Sequence, residues 1–86
     1  MEDNDLIGQA IGKYIKKRRN ELGLTQEQVA ERANMSHKHL GKLERGNRYP
    51  SGIMLFKILV ALETRDSSIS MIIKEFELLK QNSRDE

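Results

Sequence analysis

Between Thr25 and Gly46 the chain has room for two helices and almost none for what joins them. Thr25 can cap a helix with its hydroxyl, and Gln28, three residues on, can return the bond to the Thr25 N–H in a capping box. Val29 and Ala33 fall four apart on one face of that helix, with Ala30 beside them small enough to admit another backbone. Asn34 enters the left-handed conformation more cheaply than most residues with a Cβ, so the helix ends there and the chain turns at Asn34 and Met35. Ser36 then caps a second helix, whose inner side is Leu40 and Leu43 and whose end is Gly46. Two helices joined so tightly must cross steeply.

The outer side of the second helix carries Ser36, His37, Lys38, His39, Gly41, Lys42 and Arg45, all donors or small residues. A row of this kind is suited to a DNA groove. Lys38 and Lys42 can each donate to guanine O6 or N7, and His37 changes its donor and acceptor pattern with tautomer and charge. His39 and Arg45 are assigned to phosphates. Arg48 and Tyr49 stand in a loop before Pro50 and a helix capped by Ser51, a setting that favours phosphate oxygens. Glu44, the one carboxylate of the second helix, neighbours the buried leucines and calls for an internal cation, for which Arg19 is the candidate. Gly41 costs about 1 kcal/mol relative to alanine inside a helix. It either admits a phosphate or base closely or simply lacks a side chain, and the sequence leaves both open. His37 and His39, two apart on a helix, point in different directions, so no metal site is expected, and no cofactor.

On these residues the segment from 11 to 62 resembles the Cro and phage-repressor helix-turn-helix family, the XRE-like regulators. The resemblance rests on Ile11-Gly12 and Ile15 leading to Arg19, then on Leu22-Gly23-Leu24-Thr25-Gln26, Val29-Ala30 and Met35-Ser36. Leu40, Leu43-Glu44-Arg45-Gly46, and Arg48 before Pro50-Ser51 complete it. It implies an all-α fold, a five-helix lambda-repressor-like DNA-binding domain with the helix-turn-helix at helices 2 and 3. It also implies that Ser36, His37, Lys38 and Lys42 face base edges, that Gln26, His39 and Arg48 touch phosphates, and that Arg19 and Glu44 form an ion pair beneath them. The chain departs from the pattern at Asn34, where glycine is usual, and at Gly41. Arg18 stands where leucine is frequent, its stem expected over apolar surface with the head in water. Gly52 replaces a usual core leucine at the start of the fourth helix.

An 86-residue chain makes one small domain with no room for a separate ligand-binding module. It has no cysteine for a disulfide or thiolate site and no segment resembling a signal peptide or membrane span, so a cytoplasmic protein is expected. Residues 6–62 hold eleven Lys or Arg against four Glu, while the first five residues carry a charge of −3 and residues 63–86 one of −2. The positive field is thus confined to the reader, although a solvated face is the plainer meaning of a charge run. Residues 1–5 and 81–86 are expected to be disordered, flanking a domain over 6–80. Helix 1 is predicted from about Leu6 to Leu22, with Ile7, Ala10, Ile11, Tyr14, Ile15 and Leu22 along one stripe. Lys13, Lys16, Lys17 and Arg18 form its solubilising side. Helix 4, from Gly52 to Glu63, and helix 5, from Ser68 to about Lys80, hold more apolar residues than one core needs. Ile69, Ile72, Ile73, Phe76 and Leu79 fit the inner face of helix 5. Ile53, Phe56 and Val60 form a spare row on helix 4, and Met71 and Leu78 another on helix 5. These five residues are the expected homodimer interface.

Two copies would place their second helices about 34 Å apart and read an inverted repeat in double-stranded DNA. The expected function is a sequence-specific transcriptional regulator acting as a repressor, controlled by its own concentration or by a protein antagonist. An antitoxin or a restriction-system controller protein would share the fold, and an interaction module would use the apolar rows and leave the basic helix idle. No cysteine, glycine-rich phosphate loop or Ser–His–carboxylate arrangement suggests an enzyme.

Overall fold

The computed structural model describes residues 2–84, and the side chains of all of these except 66–68, 83 and 84. Five helices follow one another: α1 (Asp3–Glu21), α2 (Gln26–Arg32), α3 (His37–Glu44), α4 (Gly52–Ala61) and α5 (Asp66–Arg84), with no strand among the described residues. Each of the three middle helices starts on a hydroxyl. Thr25 accepts from the Gln28 N–H at 3.1 Å while Gln28 Oε1 accepts from the Thr25 N–H at 2.8 Å, the reciprocal capping box. Ser36 accepts from the His39 N–H at 3.1 Å and Ser51 from the Met54 N–H at 3.2 Å. Gly52 follows that last cap in open space, so no packing is lost by its missing side chain.

The first four helices end alike. After α2, Asn34 adopts φ 56°, and the Met35 N–H reaches back to the Ala30 carbonyl at 2.9 Å, closing the last turn with a left-handed residue. Gly23 and Gly46 do the same after α1 and α3. After α4 the left-handed residue is Glu63, at φ 54°, with the Thr64 N–H on the Leu59 carbonyl at 3.0 Å. Helix 4 therefore stops before Glu63, which was expected to belong to it.

Both terminal helices are longer than expected. Helix α1 begins at Asp3 rather than Leu6, because Asp3 and Asp5 occupy its first turn, where carboxylates suit the positive end of the helix dipole. Asp3 also accepts from Lys80 at 3.3 Å, and the same ammonium lies over the Phe76 ring at 5.8 Å, so the start of α1 and the end of α5 hold each other. Residues 81–84, expected to be disordered, continue α5; Met1, Asp85 and Glu86 lie outside the described residues.

The core gathers Ile11, Tyr14 and Ile15 of α1 with Val29, Ala30, Leu40, Leu43, Ile58 and Leu62. Leu6 is buried and Ile7 is exposed, the reverse of the expected stripe at that end. Tyr14 satisfies its hydroxyl on Thr64 Oγ1 at 2.8 Å. The Arg18 head stays only partly in water: Nε donates to the Leu62 carbonyl at 3.0 Å, serving a free carbonyl at the end of α4, while the side chain keeps 27% of its surface exposed. Helix α1 is the hub, packed on α3 along one side and on α5 along another, while α2 lies between α3 and α4.

Candidate nucleic-acid interface

The support beneath α3 is a three-residue knot. Arg19 donates through Nε to Glu44 Oε2 at 2.7 Å and through Nη2 to Oε1 at 3.0 Å, a two-point pair whose side chains are 14% and 3% exposed. Its remaining guanidinium nitrogen donates to the Leu24 carbonyl at 3.0 Å, and Gln26 Nε2 donates to Glu44 Oε1 at 3.1 Å. The hydrogen bond to Glu44 pushes the Arg19 pKa still higher, partly offset by burial. Helix α1, the start of α2 and the end of α3 are thus joined at one carboxylate. Glu44→Gln is expected to lower stability by about 2 kcal/mol, since it removes the charge that answers a mostly buried guanidinium. Urea unfolding followed by circular dichroism would measure it, and an unchanged midpoint would show that Arg19 is held by Leu24 and solvent alone.

Above this knot α3 presents its exposed polar row. His37, Lys38, His39, Lys42 and Arg45 are all exposed, as are Arg48 and Tyr49 in the following loop. Gln26, His37, Lys38, Gly41, Lys42 and Arg45 border one shallow recess. His39 is set apart from that group by the 3.6-residue period, on the flank of the helix. Ser36 spends its acceptor on the α3 cap and keeps its O–H. Gln26 spends one N–H on Glu44 and keeps the other for an external acceptor.

Gly41 occupies the middle of the outward row and is nevertheless buried. A Cβ there would stand 3.3 Å from Arg45 Nη1 and 3.5 Å from Gln26 Oε1, so those two side chains lie across the helix where a larger residue would lift them. Its bareness brings Arg45 and Gln26 down into the recess. Periodicity marks Gly41 as outward, but only the reach of two long side chains covers it.

The chain matches the helix-turn-helix family model HTH_3 over residues 15–69. It belongs to that family. It is 42% identical over 52 residues, 60% of this chain and 68% of the relative, to the uncharacterized HTH-type transcriptional regulator y4dJ of Sinorhizobium fredii. To the immunity repressor protein of Bacillus phage phi105 it is 39% identical over 79 residues, 88% of this chain and 54% of the repressor, about half of that relative's length. Among solved structures, the restriction-modification controller protein C.Esp1396I, crystallised as a tetramer with its natural 35 base-pair operator, superposes with a TM-score of 0.74. That match has 32% identity over 81% of this chain and 93% of the controller. The clp gene regulator ClgR of Corynebacterium glutamicum shares the fold with a TM-score of 0.79 at 23% identity, over 91% of this chain and 84% of ClgR. The family and these relatives are DNA-binding transcriptional regulators, not enzymes, and the chain has their all-helical fold.

The helix-turn-helix unit leaves apolar surface elsewhere. Ile53, Phe56 and Val60 on α4 are 75%, 68% and 63% exposed. Phe56 and Val60 border a hollow shared with Leu59, Thr64 and Ile69, so the row continues onto α5 through Ile69, which is exposed along with Ile73. Those two isoleucines were expected to face the core. Ile72 alone of the three packs against it. Met71 and Leu78 sit elsewhere: Leu78 is nine residues, two and a half turns, beyond Ile69 and so on the opposite side of α5. Both open toward α1. No helix among the described residues is long and apolar enough to cross a membrane.

Proposed function

We propose that this helix-turn-helix regulator is a repressor that binds an inverted-repeat operator as a homodimer, reading bases with Ser36, His37, Lys38 and Lys42. Gln26, His39, Arg45, Arg48 and Tyr49 hold the phosphates. The observation that carries the reading is the α3 face itself: a row of exposed cations and imidazoles with its one carboxylate turned inward onto Arg19 and Gln26. An anionic duplex meets donors there and no repelling charge. The exposed row of Ile53, Phe56 and Val60, continued by Ile69, supports a two-fold interface through α4 and the near side of α5. Met71 and Leu78 do not share that side of α5.

Selection of bound sequences from a random DNA library tests the reading, because it returns both the half-site and the spacing. On the selected site, Lys38→Ala and Lys42→Ala are each expected to cost about 1 to 3 kcal/mol and to relax preference at one base pair. Arg48→Ala should instead weaken all sequences alike and reduce the salt dependence of log K by about one unit of slope. Unchanged affinity and preference in both lysine variants would reject the assignment. A restriction-system controller is the second reading, favoured by the likeness to C.Esp1396I; a selected site lying upstream of an adjacent restriction gene would support it over a phage-type repressor.

A further inference from the structure

Met71 and Leu78, turned away from the α4 row, open onto a groove of about 460 Å³ between α1 and α5. Its floor is completed by the buried Ala10 and Tyr14. Its two walls carry lysines: Lys13 and Lys17 on α1, Lys74 on α5. Lys13 is answered by Glu75 at 2.7 Å, and among the described residues neither Lys17 nor Lys74 has an acidic partner. We propose that this groove docks an acidic amphipathic helix of a protein partner while the α3 face stays free.

Spacing and charge both select that occupant. Met71 and Leu78 lie seven residues apart, two turns and about 10 Å along α5, the separation of the i and i+7 anchors of a helix laid in a groove. Lys17 and Lys74 flank the apolar strip from opposite walls, so the ligand that answers both bears carboxylates on either side of one apolar stripe. A phosphate backbone would gain nothing from the apolar floor. The α4 row of a second copy fits poorly, because Lys57 accompanies Phe56 and Val60 there and would bring a cation to cations. The groove is also on the far side of the hub: α1 meets α3 with Gly12 and the loop after α3 with Gly8, and meets this groove with Ala10 and Tyr14. This surface goes beyond operator reading and does not depend on it.

The test titrates the full, isotope-labelled chain with a synthetic helix-forming peptide of about sixteen residues, leucines on one stripe and glutamates on both flanks. A second peptide has lysine for every glutamate. Amide resonances of residues 10–17 and 71–78 should move with the acidic peptide and not with the basic one. Lys17→Glu with Lys74→Glu should weaken binding about tenfold or more. Met71→Ser with Leu78→Ser should abolish it, and both double variants should keep the parent's DNA affinity and circular dichroism. Silent groove resonances, equal binding of the basic peptide, shifts confined to residues 53–60, or parental affinity in the charge-reversed variant would each overturn the proposal. Loss of DNA binding in the parent would refute the operator reading and leave the peptide result standing.

Discussion

Gly12→Ala is expected to destabilise the domain by about 3 kcal/mol, at the upper end of what overpacking costs. A Cβ at residue 12 would lie 2.9 Å from the Glu44 carbonyl oxygen and nearer still to that of Leu43. Both obstacles are backbone at the end of α3, so relief requires moving one helix off the other rather than turning a side chain. That movement would also stretch the Arg19–Glu44 pair, which joins the same two helices. The helix-propensity gain of alanine, about 1 kcal/mol, opposes the effect and does not cancel it. Gly8 supplies the control within one turn: a Cβ there would meet its nearest neighbours at 3.6 Å, ordinary contact. Gly8→Ala should therefore be neutral or stabilising, whereas the same substitution four residues on destabilises. Urea unfolding of both variants decides it, and a Gly12→Ala midpoint at or above the parent's would show that the α1–α3 crossing relaxes at no cost.

What could be read from the sequence was what the chain decides within a few residues. The capping box of Thr25 and Gln28, the caps at Ser36 and Ser51, and the left-handed Asn34 are local chemistry, and the folded chain uses each of them. The outward row of α3 was legible for the same reason, since period and polarity agree there. Features that depend on distant partners were not. Nothing in the neighbourhood of Glu63 marks it as a left-handed residue; the Thr64–Leu59 closure and the contacts behind it hold it there. Arg18 reads as a solvated lysine-like residue until the end of α4, 44 positions away, brings the Leu62 carbonyl to it. Leu6 and Ile7 are adjacent and both strongly apolar, and only the folded chain decides which of them is covered. The sides of α5 posed the same problem, with Ile69 and Ile73 exposed where an inner face was expected. Gly41 gave its identity away and not its use, because its cover comes from Arg45 and from Gln26 of another helix.

Phe56→Asp should convert the regulator to a monomer and lower its affinity for a two-half-site operator by about 100-fold or more, the gain that linking two weak sites ordinarily confers. The fold should survive, because the side chain is largely exposed and is not one of those packed against the core. The carboxylate would instead be set in the middle of the α4 row, between Ile53 and Val60 and beside the hollow that reaches Ile69, and an apolar interface formed there would have to desolvate it, at a cost that the cations bordering the row, Arg32, Lys57 and Arg65, repay only in part. One α3 helix reads only a few base pairs, so a monomer should bind a single half-site and an operator with nearly equal affinity, while the parent should separate them strongly. Sedimentation equilibrium and titration of DNA with one and with two half-sites measure the two halves of this expectation. Met71→Asp is the discriminating partner variant: lying on the opposite side of α5, it should leave both the dimer and the operator affinity intact. A Phe56→Asp chain that remains dimeric, or a Met71→Asp chain that becomes monomeric, would move the interface from α4 to the α1–α5 side and take the arrangement of the two readers with it.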